Sequence, residues 1–361
     1  MPLIKSWQMT GVGQLMQRHE SAVPSPRDDE VLVRVAGCGV CHTDLGFFYD
    51  GIRTVESSPL TLGHEISGIV EEAVGQHEHL IGKAVIIPAV LPCGECELCR
   101  KGRGTICRQQ KMPGNHIDGG FAGQLIVPAR YLCEVKVQDE ITPFGNSGVT
   151  LRELSVVADA VTTPYQAIKN SGLAKGDLAI FIGVGGIGGF GVQIAKALGA
   201  TVVAIDIDDR KLNLLSQYGA DLTLNCKTLD KKAVRQALQN FVKEKFLPPV
   251  EWKIFETSGA KAGQDLAFSL LTHGATLSVV GFTMDTLELR LSNLMAFEAR
   301  ALGNWGCHPR YYPEALTLVQ QGQIQLAPFV QKFPLSEINS VFERLHHREL
   351  DKRPVLVPDF Q

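Results

Sequence analysis

Two patterns of hydrophobic and polar positions divide the chain near residue 155. Before that point, short segments alternate between apolar and polar residues and are rich in β-branched side chains, which predicts strands separated by turns. These predicted strands are 30–36 (EVLVRVA), 65–71 (EISGIVE), 83–87 (KAVII) and 123–128 (GQLIVP). We expect them to form a barrel-like, mostly antiparallel domain.

After residue 155, apolar runs of strand length alternate with segments of helical periodicity. The predicted strands are 178–182, 201–205, 221–225, 253–256 and 276–280. The predicted helices are 158–169, 187–198, 210–218, 231–245 and 263–271. This alternation predicts a parallel sheet with helices on both faces. A further helix at 312–321 precedes a terminal apolar run at 353–358.

Composition narrows the class of protein. The chain has 361 residues, of which 45% are hydrophobic, and a net charge of −3. The length suggests two domains, and the hydrophobic share excludes a disordered chain. The near-neutral charge offers no support for a nucleic-acid or membrane-surface partner. Because residues 1–18 lack the apolar core of a signal peptide, we expect a cytoplasmic protein whose cysteines stay reduced.

A glycine-rich turn follows the first predicted parallel strand. Gly183, Gly185 and Gly188 form G-x-G-x-x-G around Gly186, and Asp206 ends the next strand 18 residues after Gly188. Such a turn lets the backbone approach a diphosphate at a helix N-terminus, and the acidic residue accepts hydrogen bonds from a ribose while repelling a 2′-phosphate. The pattern predicts NAD as the cofactor; the alternative is an ordinary turn with a surface aspartate.

Four cysteines lie within a 15-residue segment. Cys93, Cys96, Cys99 and Cys107 have the spacing C-x2-C-x2-C-x7-C. Four thiolates at this spacing suit a closed, tetrahedral zinc site with a structural role. An iron–sulfur cluster and a set of redox-active thiols are the alternatives, although ferredoxin-type runs have a closer final spacing.

A second group of metal-binding residue types is spread along the chain. Cys41 lies in GVCHTD and His64 in GHE, and carboxylates such as Glu65 and Asp159 are within plausible reach. These residues are candidates for an open metal site. A buried cysteine and a hydrogen-bonded core histidine are the more common explanation of such residues taken singly.

The order of these motifs along nearly the whole chain resembles the zinc-dependent medium-chain alcohol dehydrogenase family. The resemblance implies an α/β protein in which a Rossmann domain, with a doubly wound parallel sheet, is inserted into a β-rich GroES-like catalytic domain. The catalytic domain would comprise residues 1–157 and 306–361, and the Rossmann domain residues 158–305. It also implies two Zn²⁺ ions per chain, NAD, a small-molecule substrate and a homo-oligomer.

The resemblance implies specific roles near the catalytic zinc. Cys41, His64 and Asp159 would be its ligands, although family members usually have Cys or Glu where this chain has Asp159. Asp44 would orient His64, and Glu65 would approach the metal during turnover.

The same resemblance implies a proton relay and cofactor contacts. Thr43 would accept the substrate proton and pass it to the nicotinamide ribose. The relay histidine of many family members is replaced by Gly46, so His42 is a candidate for that step or for a contact with the diphosphate. Lys211 would lie beside the adenosine ribose, and Arg353 would contact the diphosphate.

Further segments resemble the family members that oxidise 6-hydroxycyclohex-1-ene-1-carbonyl-CoA, a cyclic hydroxyacyl-CoA. They are KMPGN at 111–115, SVVADAVTTPYQA at 155–167, ETSGAKAGQ at 256–264, LMAFEA at 294–299 and NWGC…YYP at 304–313. A dehydrogenase of free alcohols or polyols and a non-catalytic NAD-binding sensor are the alternatives, while a zinc-free quinone reductase is disfavoured by the four cysteines.

The sequence does not assign a single role to several further residues. The phosphates of a CoA substrate need cationic partners, and the exposed candidates are Lys101, Arg103, Lys111 and Arg310. Phe48 is a candidate wall of the substrate pocket or a core aromatic. The remaining cysteines, predicted to be core residues, are Cys38, Cys133, Cys226 and Cys307.

Overall fold

The computed structural model describes residues 3–360, which fall into two compact units. The first unit ends at Thr162 and resumes with Gly306–Gly322 and Leu326 onward; the second comprises Thr163–Trp305 and Gln323–Gln325. The first boundary between the two units therefore lies five residues after residue 157, where the sequence placed it. Asp159 consequently belongs to the first unit.

The first unit begins with strands and short helices. In chain order they are β1 (Leu3–Met9), β2 (Gln17–Ala22), β3 (Glu30–Gly39), α1 (His42–Phe48), β4 (Leu60–Thr61), β5 (Glu65–Ala73), β6 (Ala84–Ile87), α2 (Glu97–Arg100), β7 (Gln124–Pro128) and β8 (Cys133–Val135). The alternation of apolar and polar residues correctly predicted β3, β5, β6 and β7. It did not predict β1, β2 or α1.

The second unit alternates helices and strands. In chain order they are α3 (Thr162–Ser171), β9 (Leu178–Ile182), α4 (Gly186–Ala197), β10 (Thr201–Asp206), α5 (Asp209–Gln217), β11 (Leu222–Asn225), α6 (Lys231–Glu244), β12 (Lys253–Glu256), α7 (Lys261–Ser269), β13 (Thr276–Val279), α8 (Ser292–Phe297) and β14 (Arg300–Gly303). All strand pairs in this unit are parallel, in the order β11-β10-β9-β12-β13-β14. All five residues of β9 are buried, as expected for a strand in the middle of a parallel sheet.

The last segment of the chain completes the first unit. It contains α9 (Tyr312–Gln320), β15 (Val330–Pro334), α10 (Ile338–His346) and β16 (Arg353–Val357). The larger sheet of this unit has the order β15-β16-β3-β5-β6-β8, and β7 also pairs with β3. Its strand pairs are antiparallel except for β15 with β16. The α/β class expected from the sequence is confirmed, with a mostly antiparallel sheet in the first unit and a parallel sheet in the second.

The helix predicted at 158–169 begins later than expected. Residues Glu153–Ala158 form a 3₁₀ turn, Asp159 leaves the helical region with φ −141° and ψ −57°, and α3 starts at Thr162. The backbone N–H of Ala160 donates to Glu65 Oε1 at 3.1 Å. This long-range hydrogen bond replaces one that a continuous helix would make, and apolar periodicity does not reveal it.

Residues 178–195 carry no charged side chain, over a length that a membrane span would need. In the structure they consist of β9, the glycine turn and most of α4. Among residues 3–360, no helix has both the length and the apolar character that a membrane span requires.

Candidate metal centres and dinucleotide site

Four potential metal ligands converge in the first unit. Cys41 lies at the N-terminus of α1, His64 and Glu65 lie at the start of β5, and Asp159 follows the 3₁₀ turn. One ligand atom from each residue lies within 4.8 Å of the others. The sequence placed these residues up to 118 positions apart; the fold brings them together because β3 and β5 are neighbours and Ala160 binds Glu65.

The spacing of three of these donors fits one tetrahedral ion. Asp159 Oδ2 lies 3.8 Å from Cys41 Sγ and 3.6 Å from His64 Nε2. Zinc–ligand bonds of about 2.0–2.3 Å at tetrahedral angles separate neighbouring donors by roughly 3.3–3.8 Å. The sulfur, nitrogen and oxygen donors are a set that zinc accepts. The predicted trio is therefore compatible with a single zinc ion.

Asp44 holds the backbone and the histidine around this group. It is fully buried, and its carboxylate accepts hydrogen bonds from the N–H of Cys41 at 2.8 Å and of Gly63 at 3.2 Å. Asp44 Oδ1 also lies 3.4 Å from His64 Nδ1. Burial lowers the pKa of His64, but Asp44 and Asp159 outweigh this effect and raise the pKa. A carboxylate behind the second ring nitrogen orients a histidine ligand, which is the role predicted for Asp44.

Glu65 pairs with Arg353 at the edge of the group. The guanidinium Nε lies 2.7 Å from Glu65 Oε2, and Nη2 lies 2.5 Å from Oε1. A side chain on Gly39 would collide with the Glu65 carboxylate, so this position requires glycine. Burial raises the pKa of Glu65 to about 7, and the positive charge of Arg353 opposes the rise. The diphosphate contact predicted for Arg353 stays a prediction; the sequence did not suggest its pairing with Glu65.

The other predicted residues differ in how close they lie to the group. Thr43 Oγ1 is 3.7 Å from Cys41 Sγ, while His42 is exposed on the first turn of α1. Phe48 is 3% exposed and packs edge-to-face against Phe342 at 5.4 Å. Phe48 is therefore a core aromatic.

The four clustered cysteines form a second potential metal site. Their Sγ atoms are separated by 3.5 Å (Cys93–Cys107), 3.5 Å (Cys96–Cys99), 3.7 Å (Cys96–Cys107) and 3.9 Å (Cys93–Cys99). Four sulfurs at about 2.3 Å from one zinc ion lie roughly 3.8 Å apart. This spacing fits one ion and leaves no room for a cluster of several irons. Backbone N–H groups lower the pKa of Cys93, to about 7, and of Cys96, whereas burial raises the pKa of Cys99 and Cys107. The S–S distances therefore carry the assignment of a metal site.

The remaining cysteines are members of neither group of potential ligands. Cys38, Cys133 and Cys307 are buried, as predicted. Cys226 is only half-buried and packs at the margin of the core of the second unit. The prediction of a core position is wrong for Cys226 because it follows β11, the edge strand of its sheet.

In the second unit, the glycine turn joins β9 to α4. Gly183 has φ +82°, and a side chain there would collide with Ser258, while a side chain on Gly188 would collide with the carbonyl oxygen of Gly183. Thr257 Oγ1 donates to that carbonyl at 2.6 Å. Thr257 and Ser258 are not among the cofactor-binding residues predicted from the sequence. Both residues directly follow β12, which pairs with β9. Because the carboxyl ends of neighbouring parallel strands form the ligand crevice, this position in the sequence could have identified them as candidate cofactor contacts.

Asp206 is fixed at the end of β10. Its Oδ2 accepts a hydrogen bond from Val184 N at 2.7 Å, and its Oδ1 accepts from Ile207 N at 2.7 Å and Asp208 N at 3.0 Å. Lys211 Nζ lies 3.9 Å from the position of a Cβ on Gly185. The structure therefore brings Asp206 and Lys211 to the glycine turn, while Gly186 begins α4.

Comparisons with known proteins agree with this architecture. Residues 27–137 match the alcohol dehydrogenase GroES-like domain, and residues 186–321 match the zinc-binding dehydrogenase domain. An alcohol dehydrogenase of Geobacillus stearothermophilus is 32% identical over 346 residues, which cover 95% of this chain and 96% of that protein.

Two solved structures are similar over almost their whole length. Galactitol-1-phosphate dehydrogenase of Escherichia coli has a TM-score of 0.86 and 25% identity, covering 98% of this chain and 100% of that one. A zinc-binding dehydrogenase of Sinorhizobium meliloti, solved with NADP bound, has a TM-score of 0.83 and 25% identity, covering 99% and 100%. The chain therefore belongs to the zinc-dependent medium-chain alcohol dehydrogenase family and is a zinc-containing, NAD-dependent alcohol dehydrogenase.

Proposed function

We propose that this enzyme oxidises 6-hydroxycyclohex-1-ene-1-carbonyl-CoA to the 6-oxo enoyl-CoA, in the cytoplasm, as a step of anaerobic benzoyl-CoA degradation. The observation that carries the reaction type is the convergence of Cys41, His64 and Asp159 beside Thr43. The substrate is supported by the segments around 111–115, 155–167, 256–264, 294–299 and 304–313 that resemble enzymes of this activity.

In this proposal Cys41, His64 and Asp159 hold the catalytic zinc. When bound, zinc supplies a positive charge that lowers the pKa of a substrate hydroxyl group. Asp44 fixes two of these ligands, since it accepts a hydrogen bond from the N–H of Cys41 and lies behind His64. Cys93, Cys96, Cys99 and Cys107 hold the structural zinc.

The oxidation removes a hydride from the carbinol carbon and a proton from its oxygen. When bound, NAD⁺ would accept this hydride at C4 of its nicotinamide. Thr43 accepts the proton through its hydroxyl oxygen, 3.7 Å from Cys41 Sγ. Because Gly46 offers no acceptor, the exposed His42 is the next residue proposed for the relay. Arg353 donates two hydrogen bonds to the Glu65 carboxylate, which is thereby held at the edge of the Cys41–His64–Asp159 group.

A free alcohol or a polyol is the second candidate substrate. It is favoured by the 32% identity to an alcohol dehydrogenase and by the similarity to galactitol-1-phosphate dehydrogenase. A non-catalytic NAD-binding sensor is disfavoured, because all the predicted ligands of the catalytic zinc are present and close together.

An activity screen tests the substrate. NADH formation is measured with the cyclic hydroxyacyl-CoA and with cyclohex-2-en-1-ol, ethanol and hexitols. We expect kcat/KM for the thioester to exceed that for every free alcohol by at least about 100-fold, since binding energy from a remote part of a substrate raises kcat/KM. An equal or higher value with a free alcohol would overturn the CoA assignment.

The cofactor preference depends on Asp206 in this proposal. We expect wild-type enzyme to prefer NAD⁺, and Asp206→Asn to reduce the ratio of kcat/KM for NAD⁺ over NADP⁺ by about 10–100-fold, because the charge that repels a 2′-phosphate is gone. Asparagine keeps one acceptor oxygen, enough for the N–H groups of Ile207 and Asp208, while Val184 N loses its acceptor. The matched control is Asp208→Asn, which removes a carboxylate two residues further along the chain, at the N-cap of α5. Wild-type preference for NADP⁺ would contradict this role.

We also propose that copies of the chain associate through the free edge of β14. β14 ends the sheet of the second unit and is largely exposed. Large apolar side chains are exposed in this region: Phe282 (66%), Met284 (70%), Leu291 (67%), Met295 (76%) and Trp305 (50%). An open strand edge, with exposed apolar residues in the chain segment 282–305 that contains it, favours self-association.

Light scattering measures this association. We expect wild-type enzyme to be at least a dimer, and the double variant Met284→Asp/Met295→Asp to have a lower molar mass. Val55→Asp changes an apolar residue that is 70% exposed in the first unit and serves as the control. A monomeric wild type would disprove the proposal.

A further inference from the structure

Three arginines lie at the surface of the segment that carries the four cysteines, residues 93–107, here called the cysteine lobe. Arg100, Arg103 and Arg310 are exposed, and none of them forms a salt bridge within residues 3–360. Arg310 Nη1 is 3.7 Å from the position of a Cβ on Gly102, and Arg103 is the next residue of the lobe. Lys101, by contrast, is paired with Glu97 at 2.6 Å. The salt bridge sets Lys101 apart from Arg103 and Arg310. Lys111 is also exposed, and its charge acts on His116, whereas the charge of Arg310 acts on Cys307.

The segment 307–312 connects Arg310 to the catalytic ligand group. Cys307 is buried, and its pKa is raised by burial and by Asp159 and lowered by Arg310, so both charges act on one thiol. Tyr312, also buried, donates to the carbonyl of Ala158, the residue before Asp159. Three residues of chain span at most about 11 Å. The backbone of residue 310 is therefore no more than about 11 Å from that of Cys307.

Arg310 is held in place by its own neighbours. Its guanidinium lies 4.7 Å from the centre of the Tyr311 ring, and Nη2 donates to the Tyr311 hydroxyl at 3.0 Å. His308 Nδ1 accepts from the backbone N–H of Arg310 at 3.2 Å, which fixes the turn. Within residues 3–360, neither Arg310 nor Arg103 forms a salt bridge with a carboxylate. An ordered guanidinium without a protein counter-ion is suited to bind phosphate.

We propose that Arg310 and Arg103 bind a phosphate group of the substrate while its hydroxyl group lies at the Cys41–His64–Asp159 group. The inference deepens the proposed function and rests on it. The phosphate has two possible sources: the nucleotide part of a CoA thioester, or the phosphomonoester of a polyol phosphate. A flexible arm between the phosphate and the reacting carbon would connect the two sites in either case.

Steady-state kinetics of Arg310→Ala and Arg103→Ala test this subsite. We measure the cyclic hydroxyacyl-CoA against cyclohex-2-en-1-ol, and a hexitol 1-phosphate against the hexitol. For each arginine variant we expect the ratio of kcat/KM for the phosphate-bearing substrate over its neutral analogue to fall about 10-fold, mainly through KM, since one charge-assisted contact is lost. Free coenzyme A should inhibit wild-type enzyme competitively, with an inhibition constant that rises as salt concentration rises.

Arg18→Ala is the matched control, because it removes an exposed arginine of the first unit that already pairs with Glu20 at 3.1 Å. An effect limited to the thioester supports CoA as the phosphate source; an effect limited to the hexitol phosphate supports a polyol phosphate and rejects the CoA assignment. Unchanged ratios for both pairs overturn the subsite even if the thioester is the substrate. A rise in the KM for NAD⁺ alone would also overturn it, because the arginines would then serve the cofactor.

Discussion

A Cys41→Ala variant is expected to lose at least about 10³-fold in kcat while its melting temperature stays within a few degrees of the wild type. Cys41 supplies the only sulfur of the Cys41–His64–Asp159 group, and removing it leaves two donors 3.6 Å apart. Metal-ion catalysis contributes several kcal/mol to transition-state stabilisation, and each 1.36 kcal/mol is about a factor of ten in rate. Fold stability is preserved because the surrounding strands have their own apolar core.

Elemental analysis accompanies the kinetics of this variant. We expect about two zinc ions per wild-type chain and about one per Cys41→Ala chain. Cys133→Ala removes a buried thiol outside both ligand groups and should keep two zinc ions and full activity. Normal turnover of Cys41→Ala would contradict the proposed mechanism, and iron in place of zinc in the wild type would contradict both assignments.

Asp159 is the least usual of the proposed ligands, so its variants separate coordination from packing. We expect Asp159→Glu or Asp159→Cys to retain more zinc and activity than Asp159→Ala, because both restore a donor that zinc accepts. Equal activity of all three variants would show that Asp159 does not bind the metal.

A Cys96→Ser variant is expected to lose the structural zinc and to unfold at a temperature about 10 °C lower than the wild type. The cysteine lobe contains only the four-residue helix α2 and a short 3₁₀ turn, and none of the residues of α2 is buried. A segment with so little apolar packing depends on its metal for folding. At roughly 2–4 °C per kcal/mol for domains of 150–250 residues, a loss of a few kcal/mol gives this shift.

Differential scanning calorimetry and limited proteolysis measure the effect of Cys96→Ser. We expect new cleavage sites within 93–107 and about one zinc ion per chain. The control is Cys226→Ser, which changes a half-buried thiol of the second unit and should leave both zinc ions in place. A Cys96→Ser chain with wild-type melting temperature and zinc content would show that the four sulfurs do not form a metal site.

The ionic bond of Arg353 with Glu65 illustrates a contact that local sequence patterns do not reveal. The two residues are 288 positions apart. They meet because β16 pairs with β3, and β3 pairs with β5, on which Glu65 lies. The family resemblance implies a diphosphate contact for Arg353 and an approach to the metal for Glu65 as separate roles; only the sheet order connects the two residues.

The amino-acid sequence by itself determined the α/β class, most strands, the glycine turn with Asp206 and the four-cysteine segment. These features are local: strand patterns repeat every two residues, and the metal-binding cysteines lie within 15 positions, so their geometry is limited by the nearby chain. The family resemblance suggested Asp159 as a partner of Cys41 and His64, and the tertiary structure supplied the geometry that brings the three together. The tertiary structure alone decided that Phe48 is a core aromatic and that Arg310 lies on the cysteine lobe. These outcomes depend on strand order and on single long-range hydrogen bonds such as Ala160 N–H to Glu65, which no local periodicity encodes.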